Sequence, residues 1–133
     1  MRKTNWKKLA WKAFSRYIRL RDCLESTGDP NWGICCTCKQ KTEFNGLQAG
    51  HFIGGRGNSI LLHEECVHAQ CMRCNIWLKG NLVEYYIFML NRYGQEKINE
   101  LRILAKQPKP MAKYEWEALY HYFKEKADGL MTL

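Results

Sequence analysis

The chain contains no apolar run of membrane-spanning length. No apolar stretch follows the basic amino terminus of the kind a secretory signal requires, so the expected compartment is the cytoplasm. Proline is scarce, three residues in 133, and no repeat or low-complexity tract appears. With 46% hydrophobic and 26% charged residues the composition is globular, and the length fits one domain over 1–133. An even complement of cysteines is also missing. Seven thiols in a reducing compartment argue against a disulfide framework and leave metal ligation open.

The most informative absence is of acid. Residues 1–21 hold Arg2, Lys3, Lys7, Lys8, Lys12, Arg16, Arg19 and Arg21 with no Asp or Glu, so the whole excess of +8 resides there. A focused positive field attracts polyanions. Beneath the charge, Trp6, Leu9, Ala10, Ala13, Phe14, Tyr17 and Ile18 recur at three and four, which predicts an amphipathic helix over about 1–24 with Lys8, Lys12, Arg16 and Arg19 on its polar face. Those four are the expected phosphate contacts. The plainer alternative is a solvated helix face.

A cluster of turn residues at 26–33 ends that helix, which is expected to stop near Cys23. Short strands and glycine turns are predicted from 34 to 68, including an extended piece at 47–52. Helices are predicted at 82–92, capped by Asn81 and closed by Gly94, at 95–105, and at 113–127 after Pro108 and Pro110. The aromatic stripes of these later helices have buried spacing and read as core.

Cys35 and Cys38 make one Cys-x-x-Cys, Cys71 and Cys74 another, with 32 residues between the pairs. Four thiolates at such spacing suit a tetrahedral structural zinc, in preference to an iron–sulfur or redox role. Cys36 offers a second register, whereas Cys23 and Cys66 have no spacing partner and read as small buried residues. His51 ends the 47–52 piece, just before a glycine loop that holds Arg56, a candidate phosphate clamp. Asn75 follows the second cysteine pair directly, and Lys79, Gly80 and Asn81 come soon after.

These residues resemble the HNH nucleases of the ββα-metal (His-Me finger) class. They are more closely similar to a phage recombination endonuclease family, NinG or Rap, through Cys35 and Cys38, Ala49 to Phe52, His68 to Cys71, Cys74 with Asn75, and Gly80 with Asn81. The resemblance implies an α+β fold: a ββα-metal core at 34–81 supported by a zinc knuckle, with the basic helix before it and a helical cap over 82–133. It implies metal-dependent cleavage of branched DNA such as Holliday junctions and D-loops. His51 would be the general base, Asn75 a ligand or positioner of a catalytic Mg2+ or Mn2+, and His68 a further ligand to that ion. A homodimer would place two sites on two strands. The wider pattern has Asp where this chain has Gly50, and the family tends to have Asn where it has Cys66. Two rival readings are a noncatalytic zinc module that binds DNA or protein, and a redox zinc switch using Cys23, Cys36 or Cys66.

Overall fold

The computed structural model describes residues 3–55 and 57–132, so Arg2 and Arg56 lie outside the described residues. Helix α1 spans Trp6–Thr27. It begins where the Asn5 side chain accepts the Lys8 amide at 3.1 Å, and it ends at Gly28, whose φ of 76° is left-handed. The helix thus runs past Cys23, because Ser26 and Thr27 bond back to the last turn instead of breaking it.

A small antiparallel pair follows, β1 (Trp32–Ile34) and β2 (Lys41–Glu43). A second antiparallel pair carries the site: β3 (Leu47–His51) against β4 (Val67–Cys71), with Leu47 opposite Cys71, Gly50 opposite His68 and His51 opposite Val67. A short helix α2 (Asn58–Leu61) lies in the connection, where only strands and loops were expected. After β4 comes a wide turn at Arg73–Trp77, then α3 (Leu82–Tyr93), α4 (Gln95–Ala105) and α5 (Lys113–Met131). The three later helices fall where the periodicity puts them, with α5 longer by four residues.

One buried cluster draws on every layer: Phe14 and Ile18 of α1, Ala49 and Val67 of the hairpin, Tyr85, Leu101 and Phe123 of the later helices. Alternation along β3 turns Leu47, Ala49 and His51 toward α1 and leaves Gln48 and Gly50 on the other face. The outer edge of β4 is covered. Asp22 of α1 accepts the Ala69 amide at 2.7 Å, Arg21 donates to the Glu64 and Val67 carbonyls at 2.8 and 3.0 Å, and the Cys36 amide reaches the Ala69 carbonyl at 3.0 Å. The basic helix is therefore a structural wall of the hairpin. No helix among the described residues is long and apolar enough to cross a membrane.

Candidate metal centre and imidazole site

The sulfurs of Cys35, Cys38, Cys71 and Cys74 all lie within 4.8 Å of one another. Cys38 Sγ stands 3.7 Å from Cys71 Sγ, close to the edge of a tetrahedron with metal–sulfur bonds of about 2.3 Å. Backbone turns place the pairs: the Cys35 amide donates to the Gln40 carbonyl and the Gly80 amide to the Cys74 carbonyl, at 3.0 and 2.9 Å. Burial pushes the Cys35 thiol up, but the amides of Cys38, Cys71 and Thr37 and the Thr37 hydroxyl outweigh it and bring it down to about 6. Burial and the neighbouring Cys35 push Cys38 up to about 12. The donor set fits a structural metal such as zinc. Cys36, Cys23 and Cys66 are buried outside the cluster.

His51 sits at the last position of β3. Its ring stacks on Trp11 of α1, centroids 5.2 Å apart and planes 20° from parallel, and its Nε2 lies 3.0 Å from the Leu61 carbonyl. A carbonyl can only accept, so Nε2 carries a proton, and in the neutral ring the lone pair is then on Nδ1. Trp11 and Leu61 also wall a surface cleft of about 460 Å³ whose remaining lining is Asn5, Lys7 and Lys8. Sequence reasoning missed Trp11 and Lys7 here. The available signal was a tryptophan set at the edge of the apolar stripe of α1, where it packs against the core and still reaches His51.

Asn75 approaches the same strand from the other side. Its Nδ2 donates to Gln48 Oε1 at 2.8 Å, and its Oδ1 would lie 3.1 Å from a Cβ placed on Gly50. Asn75 thus meets Gln48 and Gly50 on the face of β3 turned away from α1, whereas His51 meets Trp11 and Leu61. His68 is also elsewhere. It is 1% exposed, with Nδ1 3.2 Å from the Tyr85 hydroxyl and Nε2 2.7 Å from that of Tyr93. Burial, with Arg21 and Arg92 nearby, holds it well below the ordinary histidine range. Both ring nitrogens are engaged, so its geometry is that of a neutral core residue and not of an ion ligand. Tyr85 in turn donates to the Gly50 carbonyl at 2.7 Å.

Gly50 has a physical reason to lack a side chain: a Cβ there would stand 1.9 Å from Gln70 Oε1. Gln70 is fully buried, and its Nε2 is held by the Gly80 carbonyl at 2.9 Å and Thr37 Oγ1 at 3.2 Å. An amide thus fills the space an aspartate at position 50 would need.

The basic stripe of α1 is divided. Lys8 and Lys12 are exposed. Arg16 pairs with Asp128 of α5 at 2.9 Å, and Arg19 lies over the Phe44 ring at 4.5 Å while donating to the Ser15 carbonyl. Burial lowers the Arg19 pKa from its ordinary value. These two arginines are engaged by the fold itself, as is Lys7, whose Nζ donates to Asn58 Oδ1 at 3.1 Å and lies over the Trp116 ring, which leaves Lys8 and Lys12 as the open cations of the stripe. The acids near the site are engaged as well, Glu64 with Lys126 and Glu65 with Lys97.

A hairpin walled by a basic helix, with four clustered thiols at one end, defines a small α+β protein with a cysteine cluster able to hold a metal. Comparison with known proteins places it further: it matches the family model described as Bacteriophage Lambda NinG protein over residues 1–131, and it belongs to that family. It is similar to Protein ninG of Escherichia phage 933W, 33% identical over 97 residues that cover 72% of this chain and 44% of that one. The ninG proteins of Escherichia phage lambda and Salmonella phage P22 are 32% and 30% identical over 97 residues, 72% of this chain and 43% of each of theirs. The chain thus spans less than half the length of these relatives. No solved structure matches it.

Proposed function

We propose that the chain cuts DNA, as an endonuclease of the ββα-metal class acting on branched recombination intermediates, with His51 as general base. The observation that carries this reading is the mounting of His51: the Leu61 carbonyl accepts from its Nε2–H, Trp11 stacks on its ring, and both of these residues also wall the cleft edged by Lys7 and Lys8. His51 takes a proton from water, the oxygen attacks phosphorus, and the bond to the 3′ oxygen breaks, that oxygen taking a proton from solvent, which leaves 5′-phosphate and 3′-hydroxyl ends. Lys7 and Lys8 draw the phosphate toward the cleft. A divalent ion, when bound, would stabilise charge on the phosphate. Among the described residues the four cysteines form the sole group of three or more His, Cys, Asp or Glu side chains able to hold a metal, so no step is assigned to a second ion.

The separation of Asn75 from His51 favours a second reading, a noncatalytic zinc-stabilised module that binds DNA. The two part in one assay. Labelled four-way junction, D-loop and linear duplex are incubated with zinc-loaded protein, with and without magnesium or manganese. The nuclease reading expects ion-dependent cutting of the branched substrates. It also expects His51→Ala to lower the rate by about 10²- to 10⁴-fold while binding changes less than twofold. Binding without cutting by the wild type establishes the second reading, and equal cutting by His51→Ala removes the imidazole from the mechanism.

A further inference from the structure

The turn at Arg73–Trp77 presents apolar side chains to solvent that the nuclease chemistry does not use. Trp77 is 75% exposed, Ile76 53% and Met72 50%, although Cys74 between them is fully buried in the metal cluster. The turn winds wide, the Leu78 amide reaching the Arg73 carbonyl at 2.8 Å, which brings Met72, Ile76 and Trp77 to one outward side. It is also stiff. Lys79, Gly80 and Asn81 all have positive φ (51°, 94° and 48°), a backbone run held by the Gly80 amide on the Cys74 carbonyl and by Asn81 Nδ2 on Cys74 Sγ. A largely bare tryptophan on a rigid mount is costly to keep unless something covers it.

Charge distinguishes the occupant. Residues 66–83 contain Arg73 and Lys79 and no acid. A second copy meeting this surface about a two-fold axis would bring two acid-free segments that each carry Arg73 and Lys79 together, with no opposite charge from the segment to pair them. A polyanion with flat apolar faces satisfies both features, the cations taking phosphates and the indole taking a ring. We propose that Trp77, flanked by Arg73 and Lys79, is a stacking platform for an unpaired nucleobase, the kind exposed where DNA strands diverge. This rests on the DNA reading above and deepens it: the metal knuckle would be the base on which the branch-point contact stands, at the end of the hairpin remote from His51.

The test needs no cutting. Zinc-loaded protein, without magnesium or manganese, is titrated against a labelled twelve-nucleotide oligodeoxythymidylate and against an abasic strand of the same length and charge. The expected result is a preference of roughly tenfold or more for the base-bearing strand. Trp77→Ala abolishes that preference with abasic binding unchanged within twofold, and Trp77→Phe retains most of it. Zinc content and circular dichroism check that each variant is folded. Equal binding of both strands by the wild type, or a preference that survives Trp77→Ala, overturns the platform while leaving DNA binding intact. Binding of neither strand, or of any branched DNA, overturns the DNA reading and the platform with it. A wild-type dimer that Trp77→Ala converts to monomer identifies a second copy as the occupant and likewise overturns it.

Discussion

Gly50→Ala is the substitution on which the packing of the site can be judged. The added methyl meets Gln70 Oε1 at 1.9 Å and its Cδ at 2.8 Å, so the amide has to leave its place. Moving it costs the bonds from Nε2 to the Gly80 carbonyl and Thr37 Oγ1, about 1 kcal/mol each, and leaves the Gly80 carbonyl short of a donor for roughly another 1 kcal/mol. The total is about 3 kcal/mol, which for a chain of this size is roughly 10 °C in Tm. Urea denaturation of the zinc-loaded protein measures it. Gln70→Ala should open room for the methyl, so the double variant Gly50→Ala/Gln70→Ala is expected to be at least about 1.5 kcal/mol more stable than the sum of the two single losses predicts. A Gly50→Ala protein within 1 kcal/mol of wild type, or strict additivity in the cycle, would refute the reasoning.

Two further outcomes test the rest of the framework. Cys71→Ala removes one of four clustered sulfurs; since metal binding of this kind supplies on the order of 10 kcal/mol of folding free energy, bound zinc and near-ultraviolet circular dichroism should both be lost, whereas Cys36→Ala should keep both, and full zinc retention by Cys71→Ala would discard the four-sulfur site. His68 is held by burial below its ordinary 6.5, so the unfolded chain takes up that proton first. Its contribution to stability is therefore complete above about pH 6.5 and falls below it by up to about 1.4 kcal/mol per pH unit. Protonation of the sulfurs is shared by a His68→Gln variant, so the difference between the two urea profiles from pH 7.5 to 5.5 isolates the histidine, and identical slopes would contradict a neutral buried ring.

The cysteine cluster was legible because ligand spacing is local: each Cys-x-x-Cys turn is written in four consecutive residues, and only the meeting of the two turns needs the fold. The helices were legible for the same reason, their apolar residues recurring at three and four. What stayed hidden depends on partners distant in sequence. Nothing within α1 tells that Asp128 and Phe44 will engage Arg16 and Arg19, or that Trp11 will meet a histidine forty residues on. His68 carries a motif position, and a histidine in a motif reads as a ligand until Tyr85 and Tyr93 are seen on both its nitrogens. The side of β3 to which Asn75 returns is set by the wide turn after Cys74, a feature with no simple periodicity.

Trp11, which braces the imidazole, and Lys7 and Lys8, which edge the neighbouring cleft, stand within five residues of each other on one helix. Their mutual orientation is therefore an angular phase of α1. Inserting a single residue between Lys8 and Trp11 would rotate the cationic end by about 100° relative to the indole, leaving every individual side chain intact and the cleft's coincidence of charge and indole gone. The cations and the ring that supports His51 share one helix, and neither can be shifted along it alone.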